Sequence, residues 1–206
     1  MLTGIDMKIR LTQDDIRKEL LNESHKGLIG TFESSVCKEL EAYLKENALE
    51  EQKINFSKTY LFFHNPRLVG YVTLLNDNLS FNLNVVPNPS LKLFKNKTGA
   101  GYSSVPGLKI GRICIIDEYN SQLSSARYCN LGSIIFASVL AHALEMQHTV
   151  GCRVITTDAK KKTGAHEWYK KLGFLYTFDE DKVKDLLARE DKESISMFYD
   201  IDRIIK

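Results

Sequence analysis

No apolar run in the 206-residue sequence reaches the roughly 18 residues that a bilayer-spanning helix needs. The first twenty residues carry Asp6, Asp14, Asp15 and Glu19, which speaks against a secretory signal. Cysteine is sparse. Cys37, Cys114, Cys129 and Cys152 lie far apart with no CxxC pair, so neither a zinc framework nor a disulfide framework is expected. His142 and His148 share no helix face, and His25 and His64 are isolated, so no metal site is expected. Neither sign of charge dominates. Lys and Arg number 28 against 26 Asp and Glu, and a net charge of +2 is too mild to imply nucleic acid by itself. Internal repeats and low-complexity tracts are missing as well. On these absences a cytoplasmic chain with no membrane partner is expected.

What is present is ordinary globular material, 43% hydrophobic and 26% charged, and it reads as one domain over residues 1–206. Lys8–Leu11 reads as a short strand, and Thr12 as the cap of a helix from Asp14 to Leu21. Ser34 or Ser35 then caps a longer helix whose Val36, Leu40, Tyr43, Leu44 and Ala48 recur at helical spacing. Thr59–Phe63 and Leu68–Leu75 read as strands joined by a tight turn at Asn65-Pro66-Arg67. The segment at about 78–104 has the character of an insertion. Leu108–Ile116 is a buried-type strand with Arg112 as a charged residue in its interior. A largely apolar helix over Leu131–Met146, a strand at Val154–Thr157 and a short helix at Ala165–Lys171 stopped by Gly173 follow. Phe174–Phe178 and Ile195–Tyr199 are expected to close the sheet.

The order strand, loop and buried helix around Asp117–Asn130 carries chemistry. A helix start presents unpaired N–H groups and the positive end of the macrodipole, which suit a pyrophosphate. The loop is Arg127-Tyr128-Cys129-Asn130-Leu131-Gly132-Ser133. It resembles the acyl-CoA loop of the GNAT superfamily of N-acetyltransferases, Gln/Arg-x-x-Gly-x-Gly/Ala, with Asn130 in place of the first glycine. Asparagine accepts positive φ better than most residues. The approach from Ile116 to Arg127 is several residues longer than usual. Upstream, Gly107-Leu108-Lys109-Ile110-Gly111-Arg112-Ile113 resembles the strand that enters this loop. Downstream, Val150–Ala159 resembles the next strand, and Glu167-Trp168-Tyr169-Lys170-Lys171-Leu172-Gly173-Phe174 resembles the Phe-Tyr-x-x-x-Gly-Phe signature. Phe32–Lys53, Thr59-Tyr60-Leu61, Leu68–Asp77 and Ser196–Ile201 extend the likeness over most of the chain, to a bacterial subgroup that includes toxin-like acetyltransferases.

The resemblance implies an α/β (α+β) GNAT fold, with helices packed on a mixed central sheet of about six to seven strands splayed at the acyl-CoA site. It implies acetyl transfer from acetyl-CoA to an amine by direct attack, without metal. Arg127, Tyr128, Cys129, Asn130, Leu131, Gly132 and Ser133 would hold the cofactor, mainly through main-chain amides. Amides at Ile113, Cys114 and Ile115 would meet the thioester carbonyl. Tyr169 would give the departing thiolate a proton or a hydrogen bond. The base is open among Asp117, Glu118 and His166. Lys160-Lys161-Lys162 reads as a solvated turn, or else as a contact for a phosphate. The acceptor is a small-molecule or macromolecular amine, and a homodimer is left open.

Two other readings stand beside this one. The first is a toxin-like acetyltransferase of aminoacyl-tRNA, which the modest charge and the lack of aromatic–basic interleaving do not favour. The second is a non-catalytic acyl-CoA sensor or interaction module, which the Asn130 substitution would suit. From the sequence, Asn130→Gly is expected to preserve or improve acetyl-CoA affinity. A bulky β-branched residue at Gly132 should abolish binding, as read by calorimetry.

Overall fold

The computed structural model describes residues 8–80 and 104–203. Strands β1 (Ile9–Arg10), β2 (Arg17–Leu20), β3 (Lys58–His64), β4 (Arg67–Ser80), β5 (Ser104–Ile115), β6 (Tyr128–Cys129), β7 (Val154–Lys160), β8 (Leu175–Tyr176) and β9 (Ser194–Asp200) alternate with six helices among the described residues. The helices are α1 (Lys26–Gly30), α2 (Lys38–Glu46), α3 (Ala48–Lys53), α4 (Leu131–Thr149), α5 (Ala165–Lys171) and α6 (Glu180–Ala188). Seven strands form a mixed sheet in the order β2-β3-β4-β5-β7-β9-β8, and β1 pairs separately with β6. The expected α/β class and strand number hold. By its contacts the chain divides into two units, Met1–Leu74 with Arg112–Ser138, and Leu75–Gly111 with Val139–Lys206.

In the first unit β3 and β4 form the expected hairpin, with Asn65 at φ 44 in the turn. Thr59 and Thr73 sit directly opposite each other and share a buried hydroxyl hydrogen bond of 2.8 Å. The segment expected as a helix over Asp14–Leu21 is instead a turn and a strand. The Asp15 carboxylate accepts from both the amide and the hydroxyl of Thr12 at 2.7 Å, closing the turn. Arg17–Leu20 then pairs antiparallel with Tyr60–Phe63, with the Arg17 guanidinium 4.6 Å over the Phe63 ring. Cross-strand pairing overrides a short helical pattern here.

The serine caps also fail. Cys37 occupies the cap of α2 without a side-chain bond. The Ser34 amide donates to Glu41 Oε2 at 3.0 Å, and the Ser35 amide to Asp117 Oδ1 at 3.0 Å. Both serines therefore act through main chain. Val36 lies before the helix and is exposed, whereas Tyr43, Leu44 and Ala48 are buried as expected.

In the second unit β7 pairs antiparallel with β9 along its full length, and β8 adds to β9 at Leu175 and Tyr176. The strand expected over Phe174–Phe178 shrinks to those two residues. Helix α6, which the sequence reading missed, follows with Asp179 as its cap, the carboxylate accepting from the Lys182 amide at 2.9 Å. Helix α5 has the expected bounds, and Gly173 ends it at φ 97. The Gly173 amide donates to the Lys170 carbonyl and the Phe174 amide to the Tyr169 carbonyl, a Schellman ending.

Strands β5 and β7 pair in parallel over only four residue pairs, Gly107↔Val154 to Ile110↔Thr157. Yet β5 continues to Ile115 and β7 to Lys160, so the ladder stops while both strands go on. Of the expected insertion at 78–104, residues 78–80 complete β4 and Ser104 begins β5, and the rest lies outside the described residues.

Close approach at the ladder's first pair needs glycine. A Cβ on Gly107 would stand 2.8 Å from Val154 Cγ2 and 2.9 Å from its carbonyl oxygen. Gly107→Ala should therefore lower stability by about 1–3 kcal/mol, as overpacked cores do, measured by chemical denaturation.

Candidate active site

The loop Arg127–Ser133 lies wholly in the first unit. Asn130 stands at φ 80, the left-handed conformation that its place in the motif demands. Its carbonyl accepts from the Ile134 amide at 3.1 Å, so it occupies the position that opens α4. Leu131, Gly132 and Ser133 then supply the first-turn amides, which have no acceptor within their own helix. Leu131 is buried, Gly132 half-buried and Ser133 exposed. Arg127 is exposed, with its guanidinium 5.4 Å over the Tyr128 ring. A row of amides at the positive end of a 19-residue helix, next to an exposed guanidinium, suits a pyrophosphate.

The lengthened approach to this loop is folded. After a 3-10 turn at Asp117–Tyr119, the Lys8 ammonium holds the carbonyls of Ser121 and Leu123 at 3.0 and 2.6 Å. The Tyr119 ring stacks on Tyr128 at 4.4 Å and 14°, and its hydroxyl meets His64 Nδ1 at 2.7 Å. Burial, ahead of its neighbours' charges, pushes the Tyr119 phenol up to about 12.

Ile113 and Ile115 are half-buried and Cys114 buried between them. The β5 edge here packs on β4. Ile116 donates to the Val69 carbonyl at 3.1 Å, and a Cβ on Gly70 would lie 3.1 Å from the Cys114 oxygen and 3.2 Å from Ile135 Cδ1 of α4. The main chain of 113–115 thus lies within the same unit as the loop Arg127–Ser133. Cys114 is no nucleophile. Burial raises its thiol to about 11, the Ser34 hydroxyl pulling the other way.

A charged cluster that the sequence reading did not assemble flanks Arg112 in the same unit. Its guanidinium stacks 3.6 Å over the Tyr43 ring and lies 3.9 Å from Glu51 Oε2. That one carboxylate oxygen also accepts the Tyr43 hydroxyl at 2.6 Å and the Ser57 hydroxyl at 2.9 Å. Tyr43 is raised by burial and then by its hydrogen bond to Glu51. The signal in the sequence was Arg112 itself, since a cation in an apolar strand demands a partner. The partner's place on a helix some sixty positions away was not legible.

The three candidate bases fare differently. Asp117 accepts from Ser35, and Glu118 is paired with Arg67 at 2.6 Å, so both carboxylates brace loops. In the second unit, His166 Nε2 lies 3.5 Å from Glu167, and its buried Nδ1 has no hydrogen-bond partner among the described residues. Tyr169, also in the second unit, is only 3% exposed, packed edge-on between Trp168 at 4.8 Å and Phe174 at 4.9 Å. Burial lifts its phenol to about 12, with the Thr157 hydroxyl pulling it down, so it holds its proton at neutral pH. The Lys161 ammonium donates to the Leu186 carbonyl at 2.7 Å and to the Arg189 carbonyl, which makes it the cap of α6. Among the described residues no group of three His, Cys, Asp or Glu side chains is placed to hold a metal, and no helix is long and apolar enough to cross a membrane.

No protein-family model matches the sequence, and no curated protein is similar to it. Solved structures are. KacT, crystallised with a tyrosine replaced by phenylalanine, is 20% identical with a TM-score of 0.71, covering 93% of this chain and 98% of KacT. AtaT complexed with acetyl-methionyl-tRNAfMet is 18% identical with a TM-score of 0.71, covering 93% of this chain and 98% of that one. AtaTR bound with acetyl-CoA is 18% identical with a TM-score of 0.63, covering 94% and 99%. The chain has the GNAT fold that these structures share.

The raised Cys114 thiol gives a pH-dependent expectation. Its thiolate appears only as pH approaches 11. Iodoacetamide at pH 8 should alkylate it at least about a hundredfold more slowly than a free cysteine, with the rate climbing above pH 10, as mass spectrometry would follow.

Proposed function

We propose that the protein transfers the acetyl group of acetyl-CoA to an amine by direct attack. The observation that carries this reading is the Asn130 turn at φ 80, which sets the amides of Leu131–Ser133 at the head of α4 beside Arg127. Those amides would hold the pyrophosphate, and the main chain of Ile113, Cys114 and Ile115 would polarise the thioester carbonyl. Acetyl-CoA supplies the activated acyl group.

The incoming amine must shed a proton, and Glu51 is the group proposed to receive it. It is a carboxylate 23% exposed, oriented through one oxygen by Tyr43 and Ser57, next to the fixed charge of Arg112. Tyr169 is proposed to protonate the departing sulfur. A phenol raised to about 12 is a donor at neutral pH, and the assignment rests on the helix signature. Cys114, buried with a raised thiol, has no part in an acyl-enzyme.

The finer reading takes the amino group of an aminoacyl-tRNA as acceptor. The resemblance to AtaT, solved with acetyl-methionyl-tRNAfMet, favours it over the sequence-based preference for other amines.

Calorimetry should show acetyl-CoA binding, and thiol release against a panel of small amines and charged tRNAs should show turnover. Tyr169→Phe is expected to lower kcat about a hundredfold while leaving acetyl-CoA affinity near wild type. Glu51→Gln should lower kcat/KM at pH 7 by about tenfold or more and recover as pH rises toward the acceptor's own pKa. A protein that binds no acetyl-CoA would overturn the reading, and a loss in Glu51→Gln that stays constant with pH would remove Glu51 as the base.

A further inference from the structure

The geometry points to a latch. Asn130 and the N-terminal strand β1 together hold the phosphate-binding loop in shape, so docking of residues 9–11 and occupation of the loop by acetyl-CoA reinforce each other. The inference rests on the proposed cofactor role of that loop.

Strand β1 is two residues long, and Ile9 is 48% exposed. A parallel pair of this length has little stability of its own. Nevertheless its main chain is joined to the loop at successive points. The Ile9 amide donates to the Arg127 carbonyl at 2.9 Å, and the Leu11 amide to the Cys129 carbonyl at 3.1 Å. The Leu11 carbonyl, from a residue 2% exposed, accepts from Asn130 Nδ2 at 2.9 Å. Lys8 adds its two bonds to Ser121 and Leu123. Residues 8–11 are thus tied to segment 121–130 by main-chain and side-chain bonds alike.

Asn130 has two tasks in this arrangement. Its backbone adopts the left-handed conformation that precedes the helix, and its side chain reaches back to β1. Glycine would adopt that φ with less strain, but it has no amide to donate. The hydrogen bond therefore reverses the expectation drawn from sequence, in which glycine at this position preserves or improves binding. Asn130 is a positioning residue. It orients the amides that meet the phosphate and leaves the contact to them. Because the coupling is a binding linkage, it is reciprocal: ligand on the loop tightens β1 by the same factor by which β1 tightens the ligand.

The test uses the full chain with acetyl-CoA as probe, and two variants that cut the latch from opposite sides. Asn130→Gly removes the side-chain donor. Ile9→Pro, at an exposed position, removes the amide that meets Arg127. Each should weaken acetyl-CoA about three- to tenfold, the loss of one hydrogen bond, raising KM with kcat unchanged. Hydrogen exchange supplies the readout that a general loss of stability would not reproduce. In wild-type protein, acetyl-CoA should slow exchange at the Ile9 and Leu11 amides, and in Asn130→Gly that slowing at Leu11 should be lost while the core strands β7 and β9 keep their protection. Wild-type binding with unchanged affinity in both variants would overturn the latch alone. Wild-type protein that binds no acetyl-CoA would overturn the loop reading and the coupling with it. Should Asn130→Gly fail to fold, Ile9→Pro decides.

Discussion

The backbone of β5 is the constraint from which the architecture follows. Over Gly107–Ile110 it is bonded in parallel to β7, close enough at Gly107 that no side chain fits. After that it passes into the first unit and runs beside β4, with Ile116 donating to Val69. Strand β5 thus stands between β4 and β7 in the sheet and contributes residues to both units.

Residue type alone does not announce which polar side chains act as braces. Asp117, Glu118 and Lys161 look reactive in sequence, yet each is directed at a nearby amide, guanidinium or carbonyl and fixes a loop or a helix end. Glu51 looks like helix surface and is instead held by two hydroxyls beside a stacked arginine. Short-range geometry sorts the two groups: the braces point at backbone or at a partner that ties one loop to the next, whereas Glu51 lies among side chains from α2, the loop after α3 and β5.

Long, strongly patterned elements were legible in the sequence. The β3–β4 hairpin, β5, α4, β7 and α5 all lie where periodicity and turn residues put them, and the positive φ of Asn130 follows from its place in the loop motif. What was not legible depended on partners distant in the chain. Arg17–Leu20 is a strand because β3 is beside it, Ser35 binds Asp117 and does not cap its own helix, and Asn130 reaches Leu11 across 119 positions. The sequence offers base candidates near the loop and near Tyr169, and Glu51 of α3 is remote from both in the chain.

The ending of α5 bears on how such chains are recognised. Gly173 supplies the left-handed turn, the Phe174 amide closes on the Tyr169 carbonyl, and the Phe174 ring packs against Tyr169. The glycine and the phenylalanine of the signature are thus explained by helix termination alone. A descendant that had lost all activity would keep them simply to stay folded. Within that stretch only the tyrosine hydroxyl is superfluous to the helix end, so the proposed proton donor is the one atom whose presence helix termination does not explain.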